Sequence, residues 1–347
     1  MSSLHAWLHK PRVFYLLGLV TVCLPPVSIQ ESRAGARESA NVQQSGPPAQ
    51  PPAQPSQGEP RPQPAQVPPP TYDKAIFQNR IPAGQLAFLN QFAGAPAKDL
   101  LHDKHYRKII KAAIPNCIFH YGSDMSLTDA LDMVLGGSKL PVEIREGRYL
   151  IISGMNGPYL AGRGFIWIDL QDGIVLGGFY FHPTNGEPTP ALNIFSKQIV
   201  KQDYLLMSQL PPAFAGDLIQ WSTTSRVPPV TPRYFITGSN KKILLVHNED
   251  YCMFADGTVA PPGSGCHQMD AAAADIDMDS AGYLEQTHHA TNATAWMING
   301  PDQVAWLQVR ANTCGRGPDP LGCRIRMTRE RTYRILGANP MPHPPHR

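Results

Sequence analysis

"RGFIWIDLQDGIVLGGFYFH", Arg163 to His182, decides how the rest of the chain is read. Two runs of Ile, Val, Phe, Trp and Tyr flank Asp172-Gly173. Such residues suit extended backbone, and Asp-Gly between apolar runs is a strong short-range hairpin signal. The segment therefore predicts two antiparallel strands. Working outward, "GRYLIISG" (147–154) precedes it and "ALNIFSKQIV" (191–200) follows. Both carry the same strand chemistry and are set off by Asn-Gly and Pro-rich turns. "RYFITGS" and "KKILLVH", joined at Ser239-Asn240, read as a further pair.

Upstream the period changes. "GQLAFLNQFAG" spaces Leu86, Leu89 and Phe92 as a helix ending at Gly94. "DLLHDKHYRKIIKAAI" reads as one more helix, stopped by Pro115. "SLTDALDMVLGG" opens on Ser126 as N-cap with Asp129 three residues on, and closes on glycine. Helices followed by a mainly antiparallel sheet predict an α+β domain over 72–247.

The N-terminal part is of another kind. Lys10 and Arg12 precede "VFYLLGLVTVCLPPV", a basic region followed by an apolar run of about a dozen residues, short for a span of about 20. Residues 1–30 read as a signal peptide or an uncleaved signal anchor. Cys23 stands in a poor lipobox, with Val22 where a small residue is usual. Residues 31–71, as in "SGPPAQPPAQPSQGEPRPQPAQVPPP", hold few branched or aromatic residues and predict a disordered, semi-extended tether. The same is expected of the tail at 338–347. Export to a periplasmic or secreted location permits disulfides. Beyond Cys23 the cysteines are Cys117 and two close pairs, Cys252 with Cys266 and Cys314 with Cys323. The net charge of +3 over 347 residues argues for neither nucleic acid nor a membrane surface as partner.

Residues 248–337 contain an Ala-rich helix and two further helical stripes, Val304, Leu307, Ala311, Cys314 and Ile325, Thr328, Thr332, Ile335. Here "QVAWLQVRANTC", a short Gly-containing insert and "CRIRMTRERTYRIL" resemble the end of the lysozyme-inhibitor LprI family. Trp306, Arg310, Cys314, Cys323, Thr328 and Arg331 stand at the matching places. Upstream, "YCMFADGTVAPPGSGCHQMDAAAADIDMDSAGY" is similar to the family's start, although Tyr283 falls one place out of register. The resemblance covers about Asp250 to Leu336. It implies a small, exported, disulfide-stapled helical module with bridges Cys252–Cys266 and Cys314–Cys323, and a protein partner of the lysozyme type. Asp275, Asp277 and Asp279 are then the candidates to meet a cationic enzyme. The competing expectation is that they pair with the arginines of the last helix.

Other patterns are weaker. "DIDMDS" from Asp275 begins like a calcium loop but has Ser280 and Gln286 where that loop needs Gly and Glu. His102 and His105 share a helical spacing without a third ligand. His182, Asn185 and Glu187 lie on a Pro-stiffened turn, a candidate binding rim and also an ordinary turn. Asn292-Ala-Thr294 fits a glycosylation acceptor. No nucleophile–base pair, phosphate loop or paired-carboxylate motif is present. The expectation is therefore a non-enzymatic envelope binding protein without metal or cofactor. The alternative is an envelope enzyme or small-ligand binder using the central domain near His182.

Overall fold

A computed structural model describes residues 72–121, 123–156, 162–182, 190–248, 250–253, 258–261, 264–289 and 301–337. The leader, the tether, Asn185, Glu187, the acceptor at Asn292 and the tail lie outside the described residues.

The segment quoted first forms β5 (Gly162–Asp169) and β6 (Ile174–Phe181), paired antiparallel through the turn at Asp172-Gly173. Asp169 shapes that turn. Its Oδ1 accepts from the backbone N–H groups of Gln171 and Asp172, each at 3.0 Å, while Arg148 clamps the carboxylate from the other side at 2.9 and 2.7 Å. Gly173 has φ +67°, a left-handed conformation that favours glycine.

Ahead of the hairpin come α1 (Ala83–Leu86), α2 (Ala97–His102), α3 (Lys104–Ala113), the small hairpin β1 (Ile118–Tyr121) and β2 (Ser123–Ser126), and α4 (Leu127–Gly136). Strands β3 (Glu143–Arg145) and β4 (Tyr149–Asn156) follow. After the hairpin come β7 (Ala191–Phe195), β8 (Tyr204–Leu206), α5 (Pro212–Thr224), β9 (Arg233–Ile236) and β10 (Lys242–Val246). The chain closes with α6 (Cys266–His289), α7 (Pro301–Cys314) and α8 (Pro320–Ile335). Among the described residues, no helix is long and apolar enough to cross a membrane.

One eight-stranded sheet has the order β3-β4-β5-β6-β7-β9-β10-β8. It is antiparallel except where β7 meets β9 and β10 meets β8. The fold is α+β, as expected. The two parallel joins arise because the chain leaves β7, forms β8 at the far edge, crosses back through α5 and inserts β9 beside β7.

Both sheet faces are covered, which is why β5 and β6 read as continuous apolar runs instead of alternating. Phe165 and Trp167 face α5, where Phe214, Leu218 and Trp221 cover them. Ile166 and Ile168 face the opposite side and pack on α1–α4. Further along that side, Tyr234, Leu244 and Val246 meet Ala281 and Leu284 of α6. The sheet strands and the C-terminal helices thus share a hydrophobic cluster across the 247/248 position.

Three local readings change. "DLLHDKHYRKIIKAAI" is two helices: Asp103 ends α2 and caps α3, its Oδ1 accepting from His105 N and Tyr106 N at 2.8 Å each. Helix α5 has no counterpart in the sequence reading, although Pro212 at its first position and Phe214, Leu218 and Trp221 at i, i+4 and i+7 signal it. In α7 the expected stripe holds only in part: Cys314 is buried and Leu307 half-buried, but Val304 is half-exposed and Ala311 exposed, whereas Gln303, outside the stripe, is buried. The inward neighbours of α7 include the polar Asp275 and Thr328 beside Met278 and Met327, so apolar spacing alone does not report its inner face.

Candidate functional site

The C-terminal helices are held by two disulfides, Cys252–Cys266 and Cys314–Cys323, with Cα separations of 5.1 and 5.4 Å. The first ties the loop ahead of α6 to that helix's first residue, and the second closes the α7–α8 hairpin. Three helices bury a thin core, so each staple stabilises by about 2–3 kcal/mol, mainly by restricting the unfolded chain. Cys117 is unpaired and half-buried, and burial pushes its thiol up to about 11.

Inside this module the residues that carry the LprI resemblance meet. One guanidinium nitrogen of Arg310 donates to Asp275 Oδ1 (2.5 Å) and to Thr328 Oγ1 (2.6 Å). Thr328, fully buried, donates in turn to the Arg324 carbonyl at 2.8 Å. Arg324 forms a second ion pair with Asp275 Oδ2. Arg310 and Arg331 lie 5.1 and 5.7 Å from the Trp306 ring centre, within cation–π range. Asp275 on α6 is therefore the hub that joins α7 and α8.

Helix geometry separates the three aspartates. Residues two apart on a helix point to nearly opposite sides, whereas residues four apart share a face. Asp275 and Asp279 accordingly face the same way. Burial first and the Asp275 carboxylate second push Asp279 up to about 6, against the opposing pull of Arg310. Asp277 faces the sheet, buried, where its two oxygens accept from His247: Oδ2 from the backbone N–H at 2.7 Å and Oδ1 from Nδ1 at 2.6 Å. Together the three do not make one outward-facing acidic surface. Asp270, also buried, accepts from Tyr251 N at 3.1 Å and anchors the segment leading into the first disulfide.

No loop forms at Asp275; 275–286 lies inside α6, so the calcium-loop pattern has no loop to act from. His102 and His105 fall in different helices. His102 Nδ1 lies 2.6 Å from the Lys98 carbonyl, and the His105 ring packs on Phe88. Among the described residues, two clusters bring metal-type side chains together: Cys252, Cys266 and His267, and Asp250, Cys252 and Asp270. The disulfide occupies both sulfurs and removes the thiolates a metal would need.

His182 lies exposed just past β6, its ring edge-on to Tyr180 at 5.9 Å, while Arg163 sits 5.3 Å from the Tyr180 ring centre on the other contact. Two cavities lie on either side of α3, and His182 lines neither of these. The buried Asp217 of α5 is a polar feature that pattern reading missed: its Oδ2 accepts from Trp167 Nε1 at 2.8 Å and its other oxygen pairs with Arg145. Its position between Phe214, Leu218 and Trp221 on the inward face of an amphipathic helix is the signal that marks it.

Compared with protein-family models, curated proteins and solved structures, the chain matches none. The class it can be assigned to is that of its fold, an α+β sheet protein with a disulfide-stapled helical end.

Proposed function

We propose that this is an exported bacterial envelope protein that binds another protein without catalysis. In this reading the C-terminal helices form an LprI-type module, and a lysozyme-type muramidase is the partner to test. The observation that carries it is the cluster in which Arg310 bonds Asp275 and Thr328 and shares the Trp306 ring with Arg331, on the two helices that the Cys314–Cys323 bridge joins. Of six matching positions on two helices, four are joined by contact and the other two by the bridge, as parts of one inherited module would be. The leader and the two disulfides agree with an oxidising compartment.

The acidic residues take another part in this proposal than direct contact. Asp275 and Asp277 already serve internal partners, so a cationic enzyme would have to compete for them. A surface open to a partner is the exposed part of α7, where Val304 and Val309 are half-exposed. The test is the turnover of several lysozymes at micromolar excess of the full chain, with Val304→Asp/Val309→Asp as the contact variant. Inhibition that the double variant relieves supports the proposal. Full lysozyme activity at that excess eliminates the muramidase, and cell fractionation that leaves the chain in the cytoplasm eliminates the envelope.

A further inference from the structure

The cavity between α3 and α4 has the shape and charge of a small-molecule site. It measures about 420 Å³, within the range of ligand pockets. Its position follows from helix spacing: α3 turns Tyr106 and Ile110 inward on one ridge and Arg107 and Lys111 on the next, while α4 contributes Thr128 and Asp132 from one face. Ile110 and the Tyr106 ring, both buried, make an apolar floor. The cations stand around it.

The charge on the wall is unevenly distributed. Arg107 lies at the N-terminal end of the cavity and is fixed there by donating from Nε to the Leu101 carbonyl at 2.8 Å. Asp132 lies at that same end: Arg107 is the leading charge that holds its carboxyl down, against burial, which pushes it up more strongly. Asp132 in turn is the charge that, after burial, raises the Tyr106 hydroxyl. One turn further on, about 6 Å along the axis, come Lys111 and Lys197, both lining the cavity. Lys197 reaches over from beyond β7 and donates to the Lys111 carbonyl at 2.9 Å, which engages one of its three ammonium hydrogens. Among the described residues, Asp132 is the one carboxylate that lines the cavity. The cavity thus has Arg107 and Asp132 towards one end, two lysines towards the other and an apolar floor between them.

We propose that this cavity binds a small organic anion: one anionic group, seated between Lys111 and Lys197, on an apolar body lying over Ile110 and Tyr106. The rigid frame supports such a role. Lys197 is held at both ends, its backbone N–H on the Ala113 carbonyl at 2.7 Å and its ammonium on the Lys111 carbonyl, so part of the ordering cost is met before a ligand arrives. An inorganic anion alone leaves the floor empty, and a neutral chain leaves both ammonium groups unanswered; the site distinguishes the two halves of one molecule.

The test is calorimetric titration of the full chain with octanoate, with naphthalene-1-sulfonate, with octanol as the neutral counterpart of the first, and with inorganic phosphate. The expected result is saturable one-to-one binding of octanoate or the sulfonate with a Kd on the order of 100 µM. Octanol should bind at least about tenfold more weakly, and phosphate should show no saturation. Lys111→Glu, on an exposed side chain, should weaken the anion by about tenfold or more. Thr128→Trp, which fills the cavity, should abolish binding while leaving the urea midpoint near that of the parent. Octanol binding as tightly as octanoate, unchanged affinity in Lys111→Glu, or no saturation by either organic anion at millimolar concentration would each overturn the assignment. Circular dichroism of both variants separates loss of the site from loss of the fold.

Discussion

His247, just past the end of β10, and Asp277, in the middle of α6, grip each other through two buried hydrogen bonds of 2.7 and 2.6 Å. The pair couples the sheet to the C-terminal helices. A carboxylate taken out of water is tolerated there because both of its oxygens meet donors. Alongside it, Ala281 and Leu284 supply the apolar part of the same contact.

Asp277→Ala leaves the His247 backbone N–H and the ring Nδ1–H buried without acceptors. The expected cost is about 3 kcal/mol, read as a lower urea midpoint. Asp277→Asn keeps one acceptor and should cost less. A midpoint equal to that of the parent in both variants would show that this pair does not couple the two parts.

Asp279 supplies a pH signature. Its folded-state carboxyl sits near 6, above the ordinary value of about 3.9. The folded protein therefore binds the proton more tightly than the unfolded chain does. This group's contribution is most favourable below about pH 4 and is lost as pH rises through about 6. Asp279→Asn should accordingly be more stable than the parent at pH 8. The difference between the two should shrink steadily between pH 7 and pH 4. A pH-independent difference would contradict the assignment.

Arg310 is a site where lysine is not a conservative replacement. Its guanidinium serves Asp275, Thr328 and the Trp306 face together, and an ammonium lacks both the planar fork and the stacking surface. Arg310→Lys should cost about 1–2 kcal/mol and quench or shift Trp306 fluorescence. Unchanged stability and unchanged emission would remove the constellation as a structural unit.

The cysteines can be checked chemically. Non-reducing peptide mapping should recover the bridges Cys252–Cys266 and Cys314–Cys323 only. Cys117, with its thiol near 11, should resist alkylation at pH 8 and react after unfolding, because the thiolate is the nucleophile. Rapid labelling of the folded chain would contradict its burial.

Gly177 tests the sheet itself. A Cβ there would run into the Phe195 ring on the neighbouring strand, within the packed layer facing α1–α4. Gly177→Ala should cost about 1–3 kcal/mol from overpacking, whereas the same change at Gly84, which has open space around it, should have little effect. Equal midpoints for the two variants would argue against that packing.

By itself the sequence determined what short-range chemistry can specify. Asp172-Gly173 between apolar runs made the β5–β6 hairpin legible, and Ser239-Asn240 made β9–β10 so. Ser126, whose Oγ accepts from Asp129 N at 3.1 Å, announced α4, and the spacing of four cysteines pointed to the two bridges. Tertiary structure decided the rest. The order that puts β9 beside β7 depends on a crossover whose ends are far apart in the chain. Asp103 splits one apparently continuous helix because its carboxylate caps the second half, an energy that periodicity does not register. The inner face of α7 is partly polar because Asp275, Thr328 and Arg331 lie against Arg310 and Trp306, so the apolar stripe marks that face only in part. Asp275, Asp277 and Asp279 read as one acidic run along the chain, yet the helical turn of about 100° per residue sends the middle one into the sheet and its neighbours toward α7 and α8. A linear pattern records which groups are present; only the folded arrangement of distant segments determines which charge each of them meets.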